Sequence, residues 1–197
     1  MTTIREPNAV NLVEVHERVG LATRRLVAGI ASEQWSAPTN CDMTVRGLVN
    51  HIVTGHWWAA ELAAGRTISD IGDRLDADVL GSDPLAEYDR ALARANVVFS
   101  RPGVLERTCR LSYGEVSLAE YCGHRILDTF IHGWDIARAT DQDDTLDPDL
   151  VDITYAMFEP HAAELQASGA FGTPVPVPAH ADTQTKLLAM LGRDSRR

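Results

Sequence analysis

Apolar residues recur at helical spacing through most of the chain, and capping residues mark where these amphipathic segments begin. Residues 9–30 carry apolar side chains three or four positions apart and follow Asn8, a residue type favoured as a helix N-cap. Thr44 precedes a second such segment that runs to Ala64, where Gly65 takes the position at which helices often end. The pattern therefore predicts two long helices in the first third of the chain.

Three further helices are indicated by their first residues. Asp83 is followed by a proline, which is favoured in the first helical position, and Asp147 has the same neighbour. Ser117 and Glu120 match a capping box, in which each side chain binds a free backbone N–H of the first turn. The first of these helices is predicted to run from Pro84 to about Ser100, and the second from Ser117 to about Thr140. The third begins at Pro148, and Pro160 kinks or ends it.

The remaining segments lack a sustained helical period. Residues 68–82 are rich in Gly and Asp and are expected to form a loop or short turns. Residues 107–111 and 115–117 are able to pair as a small hairpin around Tyr113. Alternate prolines exclude a helix over residues 171–178, and a short helix over residues 183–191 follows.

Helices dominate this prediction, so the expected fold class is all-α. At about 1.5 Å per residue the long helices measure roughly 25–35 Å, a match in length typical of the members of a bundle. Periodicity alone leaves the topology of the bundle open. We expect one domain over residues 1–197, with its core at about 8–165 and a C-terminal extension at about 170–193.

Composition narrows the class of partner. The 197 residues include 18 Lys and Arg against 28 Asp and Glu, which gives a formal net charge of −10. Such a surface repels phosphate backbones, so we expect no nucleic-acid partner. No apolar run approaches the roughly 20 residues that span a bilayer, and the N-terminus lacks the apolar run of a signal peptide. We therefore expect no membrane partner and a cytoplasmic location.

The three cysteines, Cys41, Cys109 and Cys122, are widely spaced and form no Cys-x-x-Cys pattern. A disulfide framework or a cysteine-rich zinc site is therefore not expected, and we predict buried, inert thiols. Several catalytic motifs are also absent from the sequence: the Rossmann glycine pattern, the Walker loop, the Gly-x-Ser-x-Gly elbow and His-Glu-x-x-His.

The fourth long helix carries a regular series of potential ligands. Glu120, His124, Asp128 and His132 follow one another at intervals of four, so neighbouring members share a helical face. Asp128 and His132 offer a carboxylate oxygen and an imidazole nitrogen, which suit zinc or a similar ion. A third ligand must come from another helix. His51 is flanked by apolar residues and is expected to face the core, either as a ligand or as an ordinary core histidine.

Four residues near these potential ligands need an assignment of their own. His56 lies about 140° around the helix from His51, so we expect it to face solvent. Trp58 shares the face of His51 and is either a core residue or part of the wall of a cavity above a metal ion. Asp135 either orients a ligand or pairs with Arg138, and the spacing favours neither. Glu120 is assigned to the helix cap rather than to a metal.

Three segments in the same order resemble a known family. Residues 43–51, Met-Thr-Val-Arg-Gly-Leu-Val-Asn-His, resemble the W-T-V-R-D-L-L-x-H segment of the DinB-like metal-binding proteins. Residues 128–138, Asp-Thr-Phe-Ile-His-Gly-Trp-Asp-Ile-Ala-Arg, are similar to a signature of the branch around mycothiol-dependent maleylpyruvate isomerase in actinobacteria. Residues 171–178 and 186–193 resemble the closing segment of that branch. The likeness covers nearly the whole chain.

The resemblance implies a DinB-like four-helix bundle with a short C-terminal extension. It implies that His51, Asp128 and His132 bind a divalent metal ion, with zinc expected and nickel as the alternative, and that a mycothiol-like thiol is a cofactor. Asp128 stands where the isomerase branch has Glu, one methylene longer. The implied function is a metal-dependent enzyme that activates a small thiol for S-transfer to, or isomerisation of, an electrophilic small molecule. The alternative is a non-catalytic metal- or ligand-binding bundle, and a homodimer is compatible with both.

Overall fold

The computed structural model describes residues 10–112 and 114–195, and most of these residues are helical. A small antiparallel hairpin pairs β1 with β2, with Thr108 opposite Ser117. The all-α prediction is confirmed. The helices are α1 (Leu12–Ala28), α2 (Val45–Ala63), α3 (Ile68–Ile71), α4 (Pro84–Phe99), α5 (Leu118–Ala139), α6 (Pro148–Phe158), α7 (Ala162–Ser168) and α8 (Thr183–Met190), and the strands are β1 (Thr108–Leu111) and β2 (Gly114–Ser117).

The predicted N-cap residues of α2, α4 and α5 are present, but of the capping box predicted at α5 the structure shows only the Ser117 half. Thr44 Oγ1 accepts a hydrogen bond from the backbone N–H of the third helical residue at 3.1 Å, and Ser117 Oγ does the same at 3.0 Å. Asp83 caps α4 in the same way at 3.0 Å, next to its N1 proline. The first helix differs from the prediction, because Asn11 is its N-cap. The predicted cap Asn8 lies outside the described residues, as does Tyr113 of the hairpin.

Short helices occur outside the predicted ones. Within residues 68–82, α3 is stabilised by a capping box between Thr67 and Asp70. The helix has only four residues, too few to show a helical period in the sequence. After α6, Pro160 ends the α-helix as expected, and the chain passes through a 3₁₀ turn, Glu159–His161, into α7. Within residues 10–112 and 114–195, no helix is long and apolar enough to cross a membrane.

Helices α1, α2, α4 and α5 form a four-helix bundle. Both α1 and α2 pack against α4 and against α5, so that α1 and α2 occupy diagonal positions although they are consecutive in sequence. The core is made by the apolar stripes of these helices, and α5 contributes fully buried side chains along its length, including Ile126, Leu127, Phe130 and Ile131. Full burial of one such side chain stabilises the fold by about 1.5–3 kcal/mol.

The C-terminal segment returns to the end of α5. Helix α8 packs on α6, and the backbone N–H of Val175 donates to the carbonyl of Ala189 at 2.9 Å. Gly192 has a φ of +81° and lies against Gly172, so closely that a Cβ there would come within 2.6 Å of the Gly172 Cα. This close approach positions Arg193, the next residue, over the side chains described below.

Candidate metal centre

His51, Asp128 and His132 meet on one side of the bundle. Asp128 Oδ1 lies 3.2 Å from His51 Nε2, across the α2–α5 interface, and 3.6 Å from His132 Nε2. One helical turn separates the two residues on α5, so both project from the same face. The structure thus brings together the three side chains that we expected as metal ligands. That they bind an ion remains a prediction.

The spacing of the three donor atoms suits a divalent ion. All three atoms lie within 4.8 Å of one another. Ligands at about 2.1 Å from a tetrahedral ion are separated from each other by about 3.4 Å, close to the spacing found here. Two imidazole nitrogens and one carboxylate oxygen are a donor set used by zinc and by other first-row divalent ions. The residues present therefore fit a metal ion.

His51 is more exposed than its apolar neighbours suggested. Its side chain is 43% exposed, whereas Leu48 and Ile52 are fully buried. The imidazole lies at the edge of the apolar stripe of α2, where its ring packs edge-on against that of His132 at 5.1 Å between centroids. The expectation of a core-facing His51 was wrong, because the side chain borders an open cavity.

Asp128 is held ionised from its inner side. Arg125 Nη2 lies 2.9 Å from Asp128 Oδ2, and this guanidinium is itself buried. Burial alone would raise the pKa of Asp128, but Arg125, together with His51 and His132, holds that pKa well below its usual range. The carboxylate is therefore negatively charged at neutral pH, as a metal ligand must be.

His132 is oriented by its second ring nitrogen. Its Nδ1 lies 2.9 Å from Asp135 Oδ2, and Asp135 is fully buried with Arg193 Nη2 also at 2.9 Å. An Nδ1–H that donates to this carboxylate leaves Nε2 unprotonated and free to bind an ion. Of the two interpretations of Asp135, the structure supports the orienting one. Arg138 pairs instead with Asp144 at 3.0 Å.

Cys41 joins the same network. Its Sγ lies 2.9 Å from Asp135 Oδ2 and 3.9 Å from His132 Nδ1, so these three residues form a second group able to hold an ion. Arg193 Nη2, however, lies 3.5 Å from Sγ and already supplies a fixed positive charge there. Burial, reinforced by Asp135, raises the pKa of Cys41 to about 12, so the thiol keeps its proton and donates a hydrogen bond to the Asp135 carboxylate. We interpret this group as a hydrogen-bond network.

The prediction for Cys41 was therefore wrong in part. It is a protonated thiol, but it is only half-buried and faces a cavity. Cys109 and Cys122 are buried as expected, and burial raises the pKa of both.

A cavity of about 970 Å³ opens beside the three donor atoms. Its walls are the loop at residues 38–43, the end of α5 with Trp134, and the C-terminal residues 170–172 and 192–194. This volume lies within the range of about 300–1,000 Å³ typical of small-molecule sites. Of the two interpretations of Trp58, the structure supports the core: its side chain packs on the hydrophobic core.

The other members of the α5 series lie away from the site. Ser117 caps the helix through the backbone N–H of Glu120, and the Glu120 carboxylate lies 4.0 Å from His124 Nε2. His56, which was expected to face solvent, is fully buried. Sequence reasoning also missed Arg125 and Arg193. A charged residue one turn before Asp128 was a usable signal for Arg125, whereas Arg193 contacts the site only through the fold of the C-terminal segment.

Comparisons with known proteins agree with this description. The family model for the mycothiol maleylpyruvate isomerase N-terminal domain matches residues 17–137. "Uncharacterized protein MT0763" and "Uncharacterized protein Rv0738", from two strains of Mycobacterium tuberculosis, are each 32% identical to this chain over 184 residues. The aligned region covers 92% of this chain and 97% of each relative. No solved structure matches. The chain thus belongs to the DinB-like family of the mycothiol maleylpyruvate isomerase N-terminal domain.

Proposed function

We propose that the protein binds a divalent metal ion through His51, Asp128 and His132 and uses it to activate a small thiol. The thiolate would add to an electrophilic small molecule. The adduct would then either take up a proton and remain as the S-transfer product, or expel the thiolate again and leave the isomerised molecule. The observation that carries this proposal is the position of three donor atoms at the wall of a cavity of about 970 Å³. Family membership supports a mycothiol-like compound as the thiol.

The number of protein ligands favours a catalytic site. Within the described parts of the chain, no further His, Cys, Asp or Glu belongs to the group formed by His51, Asp128 and His132. Catalytic zinc sites hold the ion with three protein ligands and leave a position for water or substrate, whereas structural sites use four. The exposed edge of His51 lies on the cavity side, where an incoming ligand would enter.

Residues around the candidate metal position would have separate roles in this function. A bound divalent ion would lower the pKa of a thiol ligand and so raise the fraction of thiolate at neutral pH. Asp135 holds His132 in the tautomer that presents Nε2, and Arg193 neutralises the buried Asp135 charge. The C-terminal residues 170–172 and 192–194 form one wall of the cavity in which the electrophile would bind.

Metal content tests the first part of this proposal. The wild type and His132→Ala are purified without chelators and analysed by mass spectrometry, with His124→Ala as a control that removes a histidine from the same helix. We expect about one zinc or nickel ion per chain in the wild type and the control, and loss of the ion in His132→Ala. A wild type that takes up no ion, even when incubated with excess metal, would contradict the proposal.

Thiol binding tests the second part. Protein reconstituted with Co²⁺ is titrated with 2-mercaptoethanol, and we expect the visible spectrum to change as sulfur enters the coordination sphere. An unchanged spectrum would favour the alternative function, an ion that joins α2 to α5 without catalysis, because the donor atoms come from both helices. In that case removal of the ion should lower the melting temperature by many degrees.

A further inference from the structure

The two oxygens of Asp128 have different partners. Oδ1 lies between the Nε2 atoms of His51 and His132, whereas Oδ2 lies 2.9 Å from Arg125 Nη2. Carboxylates bind divalent ions through one oxygen or through both. Because Oδ2 forms an ion pair with the Arg125 guanidinium, only Oδ1 is directed towards the candidate metal position.

A glycine on α2, Gly55, leaves the space that the Arg125 guanidinium occupies. A Cβ at Gly55 would overlap the Nη2 and Cζ atoms of Arg125. Gly55 is buried in the middle of α2, away from any turn or cap, so its missing side chain is accounted for by this close approach. Gly47, on the same helix, differs because a Cβ there would meet its nearest neighbour, Thr44 Oγ1, at an ordinary 3.4 Å.

Arg125 also sets the charge of the site. Its side chain is only 9% exposed, so solvent screens its charge little. The Arg125 charge cancels that of Asp128, and Arg193 likewise cancels that of Asp135. The four groups sum to zero, so a divalent ion bound beside them would keep its full charge towards any further ligand.

We propose that Arg125 is a positioning residue that holds Asp128 to one-oxygen coordination and cancels its charge. A bound ion would thereby keep an open coordination position and its full positive charge, both of which favour an anionic ligand. This inference rests on the proposed function, in which that ligand is a thiolate. It predicts that loss of the Arg125 contact weakens the binding of anions to the loaded protein and leaves the binding of the metal as tight or tighter.

The test uses Co²⁺ as the metal and azide as the anionic probe. Arg125→Met removes the charge, and Gly55→Ala displaces the guanidinium while keeping it in the protein. Gly47→Ala is the matched control, because it adds the same methyl group to α2 where there is space. Metal affinity is measured by competition with a chelator, and azide affinity by titration of the visible spectrum.

We expect both variants to retain Co²⁺. Arg125→Met should bind azide at least about tenfold more weakly than the wild type, since a unit charge within about 10 Å contributes that much at an effective dielectric constant of about 20. Gly55→Ala, which keeps the charge but frees Asp128 Oδ2, should also bind azide more weakly because the open coordination position is lost. The d–d bands of both variants should also weaken, because a second Asp128 oxygen raises the coordination number. Gly47→Ala should match the wild type in all three measurements.

Unchanged azide affinity in variants that retain Co²⁺ would overturn the inference, and so would loss of Co²⁺ from variants that remain folded. If Arg125→Met does not fold, Gly55→Ala decides. A wild type that takes up no Co²⁺ defeats the proposed function itself. If the wild type binds Co²⁺ and 2-mercaptoethanol but the variants bind azide as tightly as the wild type does, only the proposed role of Arg125 is contradicted.

Discussion

Two buried histidines should make the stability of this protein fall as the solution becomes mildly acidic. His16 on α1 and His56 on α2 lie inside the bundle with their rings edge-on at 5.3 Å. His16 Nδ1 lies 2.6 Å from Asn96 Oδ1, to which a neutral imidazole donates. Burial lowers the pKa of His16 from 6.5 to about 4, although the Asn96 contact opposes this shift and the nearby Arg125 adds to it.

The sign of the effect follows from which state binds the proton. Between pH 6.5 and about 4, the imidazole of His16 is protonated in the unfolded chain and neutral in the folded one. The unfolded state therefore takes up protons as the pH falls, and the free energy of unfolding decreases by about 1.4 kcal/mol per pH unit in this window. From pH 8 to pH 5, His16 alone should lower the free energy of unfolding by about 2 kcal/mol.

His56 adds a change of the same sign. Burial, followed by its neighbours His16 and Arg125, lowers the pKa of His56 well below 6.5, although Asp128 opposes the shift. Both histidines lie near a guanidinium that cannot lose its charge, so a second positive charge in this interior is unfavourable.

The assay is urea unfolding followed by circular dichroism at pH 8 and pH 5. His16→Gln keeps an N–H donor for Asn96 and removes the titrating group, and we expect its loss of stability between the two pH values to be smaller than that of the wild type by about 2 kcal/mol. His180→Gln, at an exposed position, is the control for the loss of one histidine and should behave as the wild type. If His16→Gln and the wild type lose equal stability on acidification, His16 is not held neutral by burial and the reasoning is refuted.

Three smaller predictions concern the supports of the site and the fold. Asp135→Asn should weaken metal binding about 10–100-fold, measured by chelator competition, because His132 loses its charged hydrogen-bond acceptor. Gly192→Ala should lower the free energy of unfolding by about 2 kcal/mol in urea, since a Cβ there requires a strained φ and meets the backbone of Gly172. Ser117→Ala should cost about 1 kcal/mol in the same assay by leaving the first turn of α5 uncapped, and an unchanged midpoint would contradict the assigned cap.

The helices could be predicted from sequence because their signals are local. Thr44, Asp83 and Ser117 each cap a helix through a side chain and a backbone N–H three residues away, so no knowledge of the fold is needed. The pair Asp128 and His132 was visible for the same reason, since one helical turn sets their spacing. Short features were not predicted, among them the capping box of α3, the 3₁₀ turn and α7 that follow α6, and Asn11 as the cap of α1.

Contacts between distant parts of the chain could not be predicted in this way. Arg193 reaches Asp135 across 58 positions, and Cys41 reaches it across 94. Both contacts depend on how the loop at residues 38–43 and the C-terminal segment fold over the end of α5. His51 was predicted to be a ligand from the resemblance alone, because its apolar neighbours are equally typical of an ordinary core histidine.

The error over His56 has a physical cause that extends to the whole bundle. The prediction placed His56 in solvent because it lies about 140° around the helix from His51, which was expected to face the core. His51 borders the cavity instead, so the same angle turns His56 inward. The interior that receives it is already polar, because the buried Asp128 carboxylate needs a positive partner within the fold and Arg125 supplies it there. The buried guanidinium in turn favours neutral polar neighbours such as His16 and His56. Polar residues on the inward faces of α1 and α2 thus follow from the buried ion pair of Arg125 with Asp128, whose Oδ1 faces the proposed metal position.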